Sequence, residues 1–107
     1  MKASKKARIS SDAQRDLADA ANYYAGAAPH MLDAFFDAFD KAIAQIERQP
    51  GIGSPRYGQE LEIAGLRHWS LRKFPYAVFY TEETAHLNAL RLVHLQSDIP
   101  ASLQSEP

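Results

Sequence analysis

Apolar residues recur at steps of three and four along the first half of the chain, the spacing that places them on one face of a helix. The first stripe consists of Ala13, Leu17, Ala20 and Tyr24, and the second of Leu32, Phe35, Phe39, Ile43 and Ile46. Gly26 and Pro29 lie between the stripes and predict the end of one helix and the first turn of the next. The pattern therefore predicts two antiparallel amphipathic helices.

The predicted helix ends carry local signals of their own. Ser11-Asp12-Ala13-Gln14 matches a capping box, in which Ser11 caps the backbone and Gln14 reaches back to it. Pro50-Gly51 predicts the end of the second helix. Residues 50–65 are rich in glycine and proline and predict a loop, with a brief extended or single-turn piece at residues 59–63.

The second half of the chain is dominated by strand-forming residues. Residues 65–80 contain the only tryptophan, two of the five tyrosines and two of the five phenylalanines, interleaved with basic side chains. Proline cannot donate to a strand ladder, so Phe74-Pro75 predicts a tight corner between two short antiparallel strands. Residues 86–95 are aliphatic on both faces and predict a central strand. Residues 5–10 are basic and predict an edge strand.

These elements follow one another in the order β-α-α-β-β-β. This order predicts an α+β fold, with a helical hairpin on one face of a four-stranded, mostly antiparallel sheet. The other face is expected to be open and to carry arginines and aromatic residues. Residues 1–107 are expected to form one domain, with a core at 5–99 and a polar tail at 100–107.

Composition narrows the classes of function. The 107 residues include no cysteine, which excludes disulfides and thiolate sites, and the four histidines lack metal-ligand spacing. We expect neither a metal nor a cofactor. No apolar run approaches the roughly 20 residues of a membrane span, so a cytoplasmic protein is expected. A net charge of −1 does not favour direct nucleic-acid binding.

Four ordered segments resemble the RelE/ParE superfamily of toxin–antitoxin toxins, and more closely its ParE (plasmid-stabilisation) branch. They are Asp16-Leu17 with Tyr23-Tyr24; Ile46 with Pro50-Gly51-Ile52-Gly53; Gly65-Leu66-Arg67 with residues 74–80; and Leu90-Arg91-Leu92-Val93-His94 with Asp98. Together they cover residues 5–99.

The resemblance implies a small toxin held inactive by a cognate ParD-like antitoxin. It implies DNA gyrase as the target in the ParE branch and ribosome-bound mRNA in the RelE branch. Ala77 lies where RelE-like sequences often place an arginine, and no tyrosine follows Tyr80. These departures and the acidic pI favour a non-enzymatic gyrase inhibitor. The alternatives are a ribosome-dependent endoribonuclease using Arg67, Arg72, Arg91 and His94, or a non-toxic relative that only binds its antitoxin.

The candidate partner-binding residues combine positive charge with aromatic rings. They are Arg67, Trp69, Arg72, Lys73, Tyr76, Arg91 and His94. An amphipathic antitoxin segment is expected to order on binding, with its acids against the four basic residues of this set. Structural readings stay open: Arg67 and Arg91 could pair with Glu60, Glu62 or Asp98, and Trp69 could be a packing residue. In a regular strand Arg91 and His94 would face opposite sides.

Overall fold

A computed structural model of the chain describes residues 5–103. Its strands and helices, in chain order, are β1 (Lys6–Ile9), α1 (Ser11–Ala27), α2 (Leu32–Arg48), α3 (Arg56–Leu61), β2 (Arg67–Ser70), β3 (Tyr76–Glu82), β4 (His86–His94) and α4 (Ile99–Leu103). Short 3₁₀ turns at Pro29–Met31 and Pro50–Ile52 precede α2 and α3.

The four strands form one sheet in the order β1-β4-β3-β2. Strand β1 runs parallel to β4, whereas the β4–β3 and β3–β2 pairs are antiparallel. The predicted edge strand and the predicted central strand are therefore confirmed. The hairpin on either side of Phe74-Pro75 is also present, as β2 and β3. The α+β fold predicted from the order of elements is correct.

The first hydrophobic core lies between the sheet and the hairpin of α1 and α2. Phe35 and Ile46 of α2 are 0% and 1% exposed, and they pack in one cluster with Val78 and Tyr80 of β3. Leu87 of β4, also 0% exposed, belongs to the same cluster. The helical stripes predicted from residue spacing are the surfaces that face this core.

The second face of the sheet is also covered, so the prediction of an open face is wrong. Phe79 and Val93 point to this side and pack with Leu66 and Ile99 in a second cluster. Tyr57 of α3 and Leu103 of α4 pack against it. Helix α4 was missed, and α3 was predicted only as a brief extended or single-turn piece, because each helix contributes only one or two apolar residues, too few to produce a periodic signal.

Helix α4 also corrects the predicted boundary of the core. Ile99 is 6% exposed and α4 continues to Leu103, so the ordered fold extends into the segment predicted as a polar tail. Residues 104–107 of that tail lie outside the described residues. Helix α3 likewise begins at Arg56, ahead of the short piece predicted at residues 59–63.

The start of α1 lies one residue earlier than predicted. Ser10, not Ser11, is the N-cap, and its Oγ accepts a hydrogen bond of 3.0 Å from the N–H of Ala13. Gln14 Nε2 donates to the carbonyl of Ile9. Two serines in succession give the sequence two candidate caps. The choice is fixed by β4, because Ser10 Oγ also donates to the carbonyl of Leu90.

Tyr80 fastens the loop after α2 to the first core. Its hydroxyl donates to the carbonyl of Pro50 at 2.6 Å and accepts from the N–H of Gly53 at 2.9 Å, and burial raises the pKa of this phenol. A Cβ at position 53 would lie 2.6 Å from the same hydroxyl oxygen, so only glycine fits there.

We expect Tyr80→Phe to lower the free energy of unfolding by about 1–3 kcal/mol, because it leaves the buried N–H of Gly53 without an acceptor. Urea denaturation followed by circular dichroism measures this change. Tyr23→Phe is the matched control, since the Tyr23 ring is 62% exposed. Equal stability of the two variants would show that the hydroxyl of Tyr80 contributes nothing.

Candidate functional site

A groove of about 350 Å³ runs along α2 beside the turn between β2 and β3. We call it the α2 groove. It is lined by Ala34, Asp37, Ala38, Lys41, Ala42 and Gln45 of α2 and by Arg72, Lys73 and Phe74 of the turn. The three alanines recur every four residues, and their small side chains leave the open space along the helix.

The floor of the groove is apolar and its rim is cationic. Ala42 and Phe74 form the floor and are 2% and 8% exposed. Three cations and one acid line the groove, giving it a net charge of +2. Asp37 accepts an ion pair from Lys41 at 3.1 Å, with both side chains largely exposed. The groove therefore combines an apolar floor with a net positive charge, because Asp37 is the one acid in its lining and can neutralise only one of the three cations.

Trp69 connects the groove to the sheet. Its indole Nε1 donates to Oε1 of Gln45 at 2.9 Å, and its ring packs against the first core. Trp69 is therefore a packing residue that also fixes a side chain lining the groove. The sequence left open whether Trp69 binds a partner or packs within the fold, and the structure shows it packed against the first core at a position next to the groove.

The backbone of Lys73 has a left-handed conformation, with φ of 69°. Buried Leu71 and Phe74 on either side hold the turn against the core, and the N–H of Leu71 bonds to the carbonyl of Tyr76. Residues with a Cβ adopt positive φ at an energetic cost that glycine avoids. Arg72 and Lys73 are both exposed on the groove rim.

Arg67 lies away from the α2 groove and binds backbone rather than acids. Its Nη1 donates to the carbonyl of Gly53 at 2.7 Å and to that of Gly51 at 3.4 Å. The pairing with Glu60, Glu62 or Asp98 considered from the sequence is therefore wrong for this residue. Arg67 lines a separate cavity of about 480 Å³ beside α3.

Arg91 is held in a structural ion pair with Asp16 of α1. Its Nε and Nη2 donate to the two carboxylate oxygens at 2.7 and 3.0 Å, and Nη1 donates to the carbonyl of Ser102 at 2.8 Å. Asp16 also accepts from the N–H of Leu92. The Asp16 carboxylate raises the pKa of Arg91. An ion pair was anticipated for Arg91, but with the wrong acids.

Tyr76 and His94 meet at the ends of β3 and β4. Their ring centroids are 5.0 Å apart in an edge-on arrangement, and burial raises the pKa of Tyr76. His94 Nδ1 accepts from the N–H of Gln96 at 3.1 Å. In the register of β3 and β4, His94 pairs with Tyr76 and Arg91 with Phe79, so the two face opposite sides of the sheet. That prediction is confirmed.

The predicted site residues thus separate into four places. Trp69, Arg72 and Lys73 adjoin the α2 groove, Tyr76 and His94 form a ring pair, and Arg67 and Arg91 each lie elsewhere. Sequence reasoning missed the contribution of α2, namely Lys41, Gln45 and the alanines. The signal was present, because alanines at positions 34, 38 and 42 form a helical stripe of small residues.

His68 was also missed, and it has the most unusual environment of the histidines described. Its ring stacks on Phe79, with centroids 5.2 Å apart and planes at 22°, and lies 5.3 Å from the ring of Tyr57. Its Nδ1 is buried without a hydrogen-bond partner within residues 5–103. Burial, and secondarily the charge of Arg56, lowers the pKa of His68.

The part of the chain that the structure describes lacks two further features, a metal-binding cluster and a membrane-spanning helix. Within residues 5–103, His, Asp and Glu form no group of three that could hold a metal ion. No helix within residues 5–103 is both long enough and apolar enough to cross a membrane.

Comparison with known proteins adds family information to this geometry. Residues 7–98 match the model of the ParE toxin of the type II toxin–antitoxin system parDE. The chain belongs to the ParE toxin family. The superfamily and branch inferred from the four ordered segments are therefore confirmed, over nearly the same residues.

Individual proteins that are similar to this chain carry names of the same family. Toxin ParE2 of Mycobacterium tuberculosis, from strains CDC 1551 and H37Rv, is 32% identical over 87 residues, covering 78% of this chain and 77% of the relative. A solved chain of the chromosomal ParDE TA system from P. aeruginosa superimposes with a TM-score of 0.71 at 16% identity, covering 86% of this chain and 97% of that one. This second likeness concerns the fold alone.

We expect Asp16→Ala to destabilise this ParE toxin by about 2–3 kcal/mol, because Arg91 and the N–H of Leu92 lose their acceptor. Thermal or urea denaturation measures the change. Asp12→Ala is the control, since Asp12 pairs with Arg15 at 3.4 Å where both side chains are exposed, and it should change stability by less than about 1 kcal/mol. Equal losses in the two variants would contradict a structural role for the Asp16–Arg91 pair.

The environment of His68 predicts a dependence of stability on pH. A folded-state pKa below the ordinary value of about 6.5 means that the unfolded chain binds more protons than the folded one in this range. The contribution of neutral His68 to the free energy of unfolding is therefore fully present above a pH of about 6.5. It is lost as the pH is lowered through the folded-state pKa. His68→Phe keeps the ring stack and should flatten this part of the profile of melting temperature against pH.

His30→Gln is the control for this experiment, because His30 is exposed at the turn before α2. Its profile should follow that of the unmodified toxin. If His68→Phe also left the profile unchanged, the protonation of His68 would not be coupled to folding.

Proposed function

We propose that this ParE toxin inhibits DNA gyrase by binding to it and is neutralised by a cognate ParD-like antitoxin. The observation that carries the proposal is the family match across residues 7–98, which reaches from the second residue of β1 to beyond the end of β4. A gyrase target places the site of action in the cytoplasm.

The arrangement of the candidate catalytic residues supports binding rather than RNA cleavage. Cleavage of RNA without a metal needs a base, an acid and a cation close together around one phosphate. Arg91 is engaged by Asp16, and His94 faces the other side of the sheet. Arg67 lies on backbone carbonyls of the loop after α2. These groups do not converge on one point.

Position 77 supports the same choice. Ala77 is 0% exposed and packs in the second core with Phe79 and Val93. An arginine there would have to displace this packing before its guanidinium could reach a phosphate. Ala77, one of the departures from RelE-like sequences, is therefore a core residue in this fold.

The antitoxin half of the proposal is supported by the fold shared with a chain of a solved ParDE toxin–antitoxin system. An antitoxin segment that orders on binding would bury apolar side chains and supply acids for exposed basic residues. Arg72 and Lys73 are exposed and available for such contacts.

We expect the purified toxin to block the supercoiling activity of gyrase, and the antitoxin encoded beside it to restore that activity. A gel-based supercoiling and cleavage assay measures both effects. An in vitro translation assay run in parallel serves as the control and should be unaffected. Undiminished supercoiling together with ribosome-dependent mRNA cutting would instead identify an endoribonuclease.

Growth after expression of the toxin alone tests the remaining alternative. Growth arrest that is relieved by co-expressed antitoxin is expected. Normal growth, combined with tight antitoxin binding in vitro, would identify a non-toxic relative.

A further inference from the structure

We propose that helix α3 is an acid-released cover over the second face of the sheet, and that protonation of His68 releases it. The inference concerns the fold alone and is independent of gyrase and of the antitoxin. In the released state the apolar side chains of the second cluster beneath α3, Leu66 and Phe79 among them, become accessible to solvent, while the first core stays intact.

Helix α3 is attached to the sheet through few groups. It has six residues, fewer than the roughly 12–15 that a helix needs to form alone, so its structure depends on packing. Tyr57 is the α3 side chain that joins the second cluster, and its ring lies 5.3 Å from that of His68 and 5.9 Å from that of Phe79. Local release of α3 therefore breaks a small set of contacts, and segments anchored in this way open at the lowest free energies.

His68 lies between α3 and the sheet. Its ring stacks on Phe79, its cross-strand partner, and the ring of Tyr57 contacts both. The N–H and the carbonyl of His68 bond to the backbone of Ser54 at 3.0 and 2.9 Å, which fixes this part of β2 beside the start of α3. Nδ1 is buried and has no hydrogen-bond partner within residues 5–103. One ring nitrogen is therefore kept from water while α3 is in place.

Protonation makes this arrangement unfavourable. A neutral imidazole can carry its proton on Nε2 and leave Nδ1 as an unprotonated acceptor, whereas the imidazolium has an N–H at both nitrogens. A charged ring with a buried N–H and no acceptor loses the solvation of that group without compensation. Release of α3 lets water reach Nδ1 of His68, so protonation favours the released state.

Arg56 is the charged group that faces His68 from α3. Its Cζ lies 5.1 Å from the centroid of the Tyr57 ring, and Glu60 of the same helix pairs with it at 3.3 Å. Burial, and secondarily the charge of Arg56, lowers the pKa of His68. A second cation at position 68 repels Arg56, and movement of α3 away from the sheet relieves this repulsion.

The neighbouring elements meet His68 with uncharged or cationic groups. Strand β3 presents the ring of Phe79, and the loop before α3 presents the backbone of Ser54. Arg67, the residue before His68 in β2, is a further cation and donates to the carbonyl of Gly53. These contacts favour the neutral form of His68 while α3 is in place.

The position of Gly58 shows how closely α3 approaches the sheet. A Cβ at this position would lie 2.5 Å from the carbonyl oxygen of Leu66, which precedes β2, and 3.1 Å from that of Ile63. A side chain there would push α3 away from the sheet at any pH. Gly58→Ala is therefore a mimic of the released state that does not require protonation of His68.

The first test follows amide hydrogen exchange in the unmodified toxin as the pH is lowered. The N–H groups of Gln59 and Ile63 bond to carbonyls within residues 55–58 and report the release of α3. Their protection factors should fall by up to tenfold for each pH unit below about 6.5. They should respond weakly to low concentrations of urea, because release of a short helix exposes little surface.

The N–H of Leu71, in the turn between β2 and β3, provides the internal reference. Its protection should be higher than that of the α3 amides and should respond more strongly to urea. Equal protection and equal urea dependence in the two places would show that α3 opens only when the whole protein unfolds, and would overturn the inference.

The second test removes the titrating group or its charged neighbour. In His68→Phe the protection of the α3 amides should not change with pH, whereas His30→Gln, at an exposed histidine, should behave as the unmodified toxin does. Arg56→Gln should reduce the loss of protection between neutral and acidic pH, and Arg15→Gln, in an exposed ion pair of α1, should not. A loss of α3 protection in His68→Phe equal to that of the unmodified toxin would contradict the role of His68.

The third test detects the uncovered face with the apolar dye ANS. In mild acid the toxin should bind the dye, while the fluorescence of Trp69, which packs against the first core, stays as it is at neutral pH. Gly58→Ala should bind the dye already at neutral pH. Gly26→Ala is the matched control and should not, because an added Cβ there meets nothing within 4 Å. Dye binding that always accompanies a change in Trp69 fluorescence would show loss of the first core and overturn the inference.

Discussion

The burial of β3 on both of its faces is the constraint on which the rest of the structure depends. Residues 77–80 are at most 1% exposed, although their side chains alternate between opposite sides of the sheet. A strand of this kind needs apolar cover on each side. The hairpin of α1 and α2 covers Val78 and Tyr80, whereas α3 and α4 cover Ala77 and Phe79. The fold is therefore three layers with the sheet in the middle.

Covering both faces changes where a partner can bind. A sheet with one open face would offer its arginines and aromatic rings directly, but here those groups are mostly structural. Arg91 joins β4 to α1 and α4, and Arg67 holds the loop after α2. Of the predicted basic site residues, the exposed Arg72 and Lys73 lie at the border of a layer, where the β2–β3 turn meets α2. The location of the α2 groove follows from the closure of the sheet.

The candidate site was predictable only in part. Arg72 and Lys73 follow from the sequence, because charged residues beside a proline corner are expected to be exposed. The partner of Arg91 is not predictable in this way, since Asp16 lies 75 positions earlier in the chain. Glu60, Glu62 and Asp98 were the acids considered from the sequence, yet the parallel placement of β1 beside β4 brings the start of α1 to Arg91 instead.

The sequence by itself determined the two long helices, the β2–β3 hairpin, the central strand and the family. Each of these leaves a repeated or ordered pattern that local spacing reveals. The tertiary structure alone decided that α3 and α4 close the second face, which acids and carbonyls the arginines meet, and that α2 contributes to a groove. Such outcomes depend on contacts between distant segments, where one well-placed apolar or charged residue is sufficient and no periodic pattern is produced.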